Sequence, residues 1–247
     1  NSLDDIILIS TDTIFGTIGG GNLEYLVIDE AKKLIDKNIA NKVMNIPLGP
    51  GIGQCCGGYV QVKLSLHSNS KDALKDEYIV NNVKPNLYIF GSGHIGQALI
   101  SKLENINFNT FIIDSREDYL KMTNIKDVNY LLSKKPWEIV SKLEDNSYFI
   151  VLTHSHDYDL KILNEILKKN NTFVGLIGSL TKKKRFHKRL IDNGHNKSIV
   201  EKIECPIGID IGNSKDPNEI AFSIITRIIS IKNSLKHLSN NKIKEVI

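Results

Sequence analysis

The feature that most constrains this chain is a glycine-rich turn set between a strand and a helix. Gly91-Ser92-Gly93-His94-Ile95-Gly96 directly follows the apolar run 87–90 and opens a helical stretch over 95–103. Such a turn brings backbone close to an anionic group and packs the helix tightly on the strand. Runs 110–113, 128–132, 148–153 and 172–177 read as further buried strands. The spacing predicts helices over 137–143 and 160–168, and residues 186–190 belong to another. Asp216-Pro217-Asn218-Glu219 starts the last helix as a capping box with proline at its first position.

Strands alternating with helices predict a parallel sheet covered on both faces. Residues 85–247 are therefore expected to form a Rossmann-type domain. Residues 1–67 read as a smaller α+β domain, with strands at 6–10, 13–17, 43–46 and 59–67. A helix there follows Gly19-Gly20-Gly21, with Asn22 as its N-cap and Leu23, Leu26, Val27, Ala31, Leu34 and Ile35 on one face. Residues 68–84 are polar, lack periodicity and read as the linker. The fold class is thus α/β.

Four constellations carry chemistry. Around the first turn, Gly91, Gly93, His94 and Gly96 are candidate anion contacts. Asp114 ends the next strand where a ribose-binding acid sits in dinucleotide folds, with Arg116 close by, although the two also make an ordinary ion pair. The second is Thr153-His154-Ser155-His156-Asp157-Tyr158-Asp159, after the domain's fourth strand. In strand order 3-2-1-4-5-6 the first and fourth strands flank the switch-point crevice, so Thr153, His154 and His156 face the glycine turn. The third is Gly178-Ser179, followed by the basic run Lys182-Lys183-Lys184-Arg185, which fits a phosphate or a solvated helix face equally well. A sixth strand is expected to end at Cys205-Pro206-Ile207-Gly208 on the same edge, with Cys205 a buried inert thiol.

The fourth is Gln54-Cys55-Cys56-Gly57-Gly58. Glycines leave the backbone approachable and the thiols accessible, and thiolates are soft ligands that also accept sulfur. A nicotinamide-dependent oxidoreductase with NAD(P) on the glycine turn is the alternative reading, with His154 as its acid or base. A metal-dependent hydrolase would use His154, His156 and Asp159.

Composition narrows the classes. The chain has 247 residues, 41% hydrophobic and 24% charged, which excludes disorder for most of its length. Three cysteines make no disulfide framework and point to a reducing, cytoplasmic setting. No apolar run reaches the roughly 20 residues that span a bilayer. The net charge of +4 comes from scattered lysines, and no nucleic-acid motif appears. The chain begins at Asn1 rather than Met, which leaves room for an upstream piece.

Taken together, the segments resemble the XdhC/CoxI family of molybdenum-enzyme accessory proteins. The resemblance rests on residues 16–24, the 53–58 cysteine loop, 91–96, 151–159, 173–185 and 205–212, in the family's order along nearly the whole chain. It implies binding of molybdenum cofactor (molybdopterin), support of its sulfuration with a cysteine desulfurase, and delivery to xanthine dehydrogenase or a related molybdenum hydroxylase. It carries cofactor contact onto Gln54, Cys55, Cys56 and Gly57, with Cys55 or Cys56 facing molybdenum. No reaction of its own is implied. A homodimer is compatible, since the cysteine loop and the crevice could meet between two copies. The chain lacks the family's Ser-x-Pro-Arg-type segment, and Asp210-Ile211-Gly212 looks more like the CoxI branch, so the client is less defined than the cofactor.

Overall fold

Five runs of β-branched and aromatic residues in the second half pair side by side, all in the same direction. In the computed structural model they are β5 (Asn86–Phe90), β6 (Asn109–Asp114), β7 (Val128–Leu132), β8 (Ser147–Val151) and β9 (Asn171–Leu176), in spatial order β7-β6-β5-β8-β9. The structure describes residues 7–19, 21–48, 58–69 and 84–243, with side chains to Leu235. By its contacts the chain divides into two units, Asn1–Val83 and Lys84–Ile247.

Alternate residues of these strands enter two separate apolar cores. Leu87, Ile89, Ile112 and Ile150 face one side, where α2 (His94–Lys102) and α7 (Pro217–Ile243) bury Leu99, Ile100, Ile224 and Ile228. Tyr88, Phe90, Ile113, Phe149 and Val151 face the other. There α4 (His156–Ile166), α5 (Leu180–Asp192) and α6 (Lys197–Val200) contribute Ile162, Leu163, Phe186, Leu190 and Val200. A sheet buried on both faces demands near-continuous apolar strands, and β8 is buried at all five positions. The expected α/β class and parallel sheet are present.

Four elements differ from the sequence expectation, one of them α6, which the sequence pattern did not predict. Residues 137–143 form only a 3-10 turn at Val140–Lys142, after Pro136. Their apolar residues Trp137, Val140 and Leu143 recur every three positions, the 3-10 rather than the α period. No sixth strand forms among the described residues: the segment from Glu204 makes a single bridge to Gly175, and Pro206 has no N–H to extend a ladder. The short helix α3 (Glu117–Leu120) after β6 has no counterpart in the sequence pattern.

In the first unit, β1 (Ile7–Ile9) and β2 (Ile14–Gly16) form a hairpin, and β3 (Asn41–Pro47) pairs antiparallel with β4 (Tyr59–Ser65). Between the pairs runs α1 (Gly21–Lys37), whose start at Gly21 puts Asn22 inside the helix rather than at its cap. The Glu24 carboxylate accepts from the Thr17 hydroxyl at 2.6 Å and the Ile18 N–H at 3.1 Å, fixing the glycine-rich entry to α1. Leu23, Val27 and Ile46 form its small core. No helix among the described residues is long and apolar enough to cross a membrane.

Candidate functional site

The three glycines of the turn after β5 are there for different reasons. Gly91 has φ +118°, and a Cβ on it would lie 2.4 Å from the Leu152 carbonyl oxygen. A Cβ on Gly96 would lie 2.1 Å from the Gly91 carbonyl oxygen, so only glycine lets α2 pack onto the turn. Gly93 is under neither constraint. Its backbone (φ −74°, ψ −170°) suits any residue, and a Cβ there would meet nothing within 4 Å. The chain itself gives no packing reason for glycine at this position, whereas close approach of a ligand to the backbone does.

Besides the one-turn α3 after β6, three longer helices start on this carboxyl edge of the sheet, and each N-terminus presents N–H groups with a partial positive charge. Ser155 caps α4 by accepting from the Tyr158 N–H, and Asp157 and Asp159 lie in its first turn. Ser179 caps α5 by accepting from the Lys182 N–H. The α2 start, at Gly93, has neither a side-chain cap nor an acidic residue in its first turn. Because β5 and β8 are neighbours while their helices leave in opposite directions, α2 begins at the switch point, where α/β folds bind ligands. An anion fits this open helix start better than the other two.

The other sequence-predicted residues surround that point. Thr153, His154 and His156 occupy the exit of β8, and Gly178 and Ser179 the exit of β9. His94 and His154 are exposed, His154 edge-on to the Tyr158 ring at 5.4 Å. His156 Nδ1 lies 3.0 Å from Arg185 Nη2. Since a guanidinium only donates, the proton of a neutral His156 sits on Nε2. Gln54, Cys55, Cys56 and Gly57, on the β3–β4 connection, lie outside the described residues.

Residues 87–228 match the model of the family described as the XdhC Rossmann domain. The chain belongs to the XdhC family. Over 226 residues, covering 90% of this chain, it is 24% identical to the "Uncharacterized protein YqeB" of Escherichia coli. Over 151 residues, 60% of the chain, it is 27% identical to a probable xanthine dehydrogenase subunit of Bacillus subtilis. It spans only 39% and 43% of these two relatives' lengths. A crystal structure described as that of a xanthine dehydrogenase from Bacillus halodurans superposes with a TM-score of 0.71 at 20% identity, covering 92% of this chain and 86% of that one, a likeness of fold.

In this XdhC-family chain Asp114 is already engaged. Its buried carboxylate accepts from Ser92 N–H at 2.7 Å, from Arg116 N–H at 2.9 Å, and from Arg116 Nε and Nη2 at 3.0 and 2.9 Å. Burial pushes the Asp114 pKa up, but the Arg116 pair and the two backbone bonds outweigh it and hold the carboxyl below its ordinary value. Arg116 also stacks on Tyr119 at 3.7 Å. A ribose diol reaching Asp114 would have to displace this bidentate pair, so the acid braces the glycine turn rather than offering it to a dinucleotide.

Two further residues complete the bracing: Gln97, to which the sequence assigned no role, and Lys182, whose role differs from the phosphate contact or solvated face expected of its run. Gln97 Nε2 donates to Ser92 Oγ at 2.6 Å and to the Tyr119 carbonyl at 2.7 Å, tying the turn to the segment after β6. Lys182, read as part of a basic run, turns inward over Gly178 and donates to Asp159 Oδ2 at 2.7 Å and the Ile177 carbonyl at 2.8 Å. Asp159 Oδ1 in turn accepts from the Thr153 hydroxyl and N–H, at 2.7 and 3.0 Å. The exits of β8 and β9 are thus joined by a buried ion pair, with side-chain exposures of 9% and 0%. The signal for Lys182 was its position four residues before Phe186 on the buried stripe of α5. With Asp159 engaged, it does not join His154 and His156 as a ligand trio; no group of three potential ligands occurs among the described residues.

Proposed function

We propose that this chain is an accessory protein that binds molybdenum cofactor, supports its sulfuration with a cysteine desulfurase and delivers it to xanthine dehydrogenase or a related molybdenum hydroxylase in the cytoplasm. The observation that carries this reading is the uncapped α2 start beside the open Gly93, at the switch point of an XdhC-family domain. The cofactor's phosphate suits that start, held by the backbone N–H groups of Gly93, His94 and Gly96, while the Gly91 N–H donates to the Ile113 carbonyl and shapes the turn. Thr153, His154, His156, Gly178 and Ser179 are the candidate contacts for the hydrogen-bonding edges of its pterin. Asp114 and Arg116 hold the turn in shape from below. Cys55 and Cys56, with Gln54 and Gly57, would meet the soft metal end. When bound, the group supplies the molybdenum–sulfur centre that the client uses. The two relatives named for xanthine dehydrogenase support that enzyme as the client.

The test is molybdenum content and pterin-derived fluorescence of the chain purified without oxygen from a cofactor-producing host, beside the Cys55→Ala/Cys56→Ala variant. Cofactor in the parent and little in the variant is the expected result. Equal cofactor in both removes the cysteines from the metal. None in either, with tight NAD(P) binding, overturns the reading in favour of an oxidoreductase.

A further inference from the structure

Helix α5 departs from the charge pattern of the other helices. In or just after other helices, several lysines pair with a carboxylate three or four residues away: Lys33 with Asp29, Lys121 with Glu117, Lys161 with Asp157, Lys168 with Glu165 and Lys197 with Glu201. On α5 the four-residue neighbours carry like charge, Lys184 with Lys188 and Arg185 with Arg189, an arrangement that destabilises an isolated helix. All four are exposed. Among the described residues Lys184, Lys188 and Arg189 have no ion-pair partner; the one α5 lysine that does is the inward Lys182.

Lys184 and Lys188 share their face with apolar side chains, whereas Arg185 and Arg189 lie more than about 100° round the helix from it. Leu180 is 64% exposed and Ile191 38%. With 3.6 residues per turn, positions 180, 184, 188 and 191 form one stripe about 17 Å long, opposite the buried Lys182, Phe186 and Leu190. A solvated helix face gains nothing from exposed leucine and isoleucine at its two ends. Nucleic-acid phosphates would engage the cations but not these side chains. An acidic protein surface with apolar side chains of its own satisfies both.

We propose that this face of α5 is the docking surface for an acidic patch on the protein that receives the cargo. The inference rests on the cofactor-delivery reading. Its location follows from the fold: α5 leaves the sheet at Ser179, on the carboxyl edge that holds the candidate site, and Leu180 begins the stripe at that end. A partner seated on α5 therefore stands next to the crevice.

Cofactor-free bacterial xanthine dehydrogenase is titrated with the full chain, with the charge-reversed Lys184→Glu/Lys188→Glu variant, and with Leu180→Ser/Ile191→Ser. A short DNA duplex serves as the polyanion control, and each chain's cofactor load and melting curve are recorded. Charge reversal is expected to weaken enzyme binding by more than about thirtyfold and the apolar change by about tenfold, with cofactor load and melting unchanged. Unchanged binding by the reversed variant overturns the proposal, as does a parent chain that does not bind the enzyme. Indifference to the apolar change, with equal affinity for DNA, also overturns it in favour of a polyanion site. A parent that docks but carries no cofactor defeats the delivery reading alone.

Discussion

Three glycines spaced over six residues look alike in sequence and differ in what they do. Gly96→Ala drives a methyl into the Gly91 carbonyl and is expected to cost about 2–4 kcal/mol, read from urea denaturation. Gly93→Asn places its Cβ where no atom of the chain lies within 4 Å and keeps a favoured N-cap residue, so it should change stability by less than about 0.5 kcal/mol, yet it fills the space over the open helix start. Loss of cofactor with an unchanged denaturation midpoint is the expected signature; full retention would remove the turn from the site. Asp114 adds a pH dependence. Its folded pKa lies below that of an unfolded aspartate, about 3.9, so between those values the unfolded chain binds more protons. Its stabilisation is complete above about pH 5 and is lost as pH falls through the depressed value. Asp114→Asn should flatten the acid limb of the stability curve relative to the parent. The residue types and positions here were legible from spacing, and so was the Asp114–Arg116 ion pair as one of two readings; the bond from the Ser92 N–H was not, because it depends on how the turn folds over the end of β6.

Among elements, the strands were the most legible, since both faces of the sheet are buried and each strand is a dense apolar run bounded by polar residues. The connections were harder to read. The 137–143 segment buries Val140 and contacts Tyr158 through Trp137, so its apolar residues satisfy the core without an α-helix. At the sheet edge, the Glu204 backbone pairs with β9 through Val174 and Leu176, and its side chain accepts from Gly208 N–H at 3.2 Å and Arg227 Nε at 2.8 Å. The basic run on α5 concealed an inward lysine, because composition weighs all cations alike while the helix period sends one of them to the core. That lysine holds two loops together. Lys182→Met leaves the Asp159 carboxylate buried without its cation and is expected to cost about 3–5 kcal/mol. Lys182→Met/Asp159→Asn should recover at least about 1 kcal/mol of that, since an amide oxygen can still accept from Thr153. Additive losses in the two single variants and the double one, by urea denaturation, would show that the pair is not coupled.

At the scale of the whole molecule, apolar burial is divided unequally between the two units. The Lys84–Ile247 unit has a sheet with a core on each face, built from all five strands and the helices that cover them. Among the described residues of the Asn1–Val83 unit, Leu23, Val27, Leu34 and Ile46 are the buried apolar side chains. A small unit stabilises itself only by the apolar area that it removes from water, and fewer than about 80 residues with so little core are marginal. Residues 84–247 expressed alone should therefore melt cooperatively with a far-UV spectrum of mixed helix and strand. Residues 1–83 alone should show a broad, weakly cooperative transition. The division bears on function too. If Cys55 and Cys56 contribute to cofactor retention as proposed, the 84–247 piece should fold yet retain little cofactor. Adding residues 1–83 in trans should then not restore retention, because a marginal unit binds poorly without its covalent tether. A cofactor-loaded 84–247 piece would instead place the whole binding energy at the carboxyl edge of the sheet and leave Cys55 and Cys56 without a part in retention.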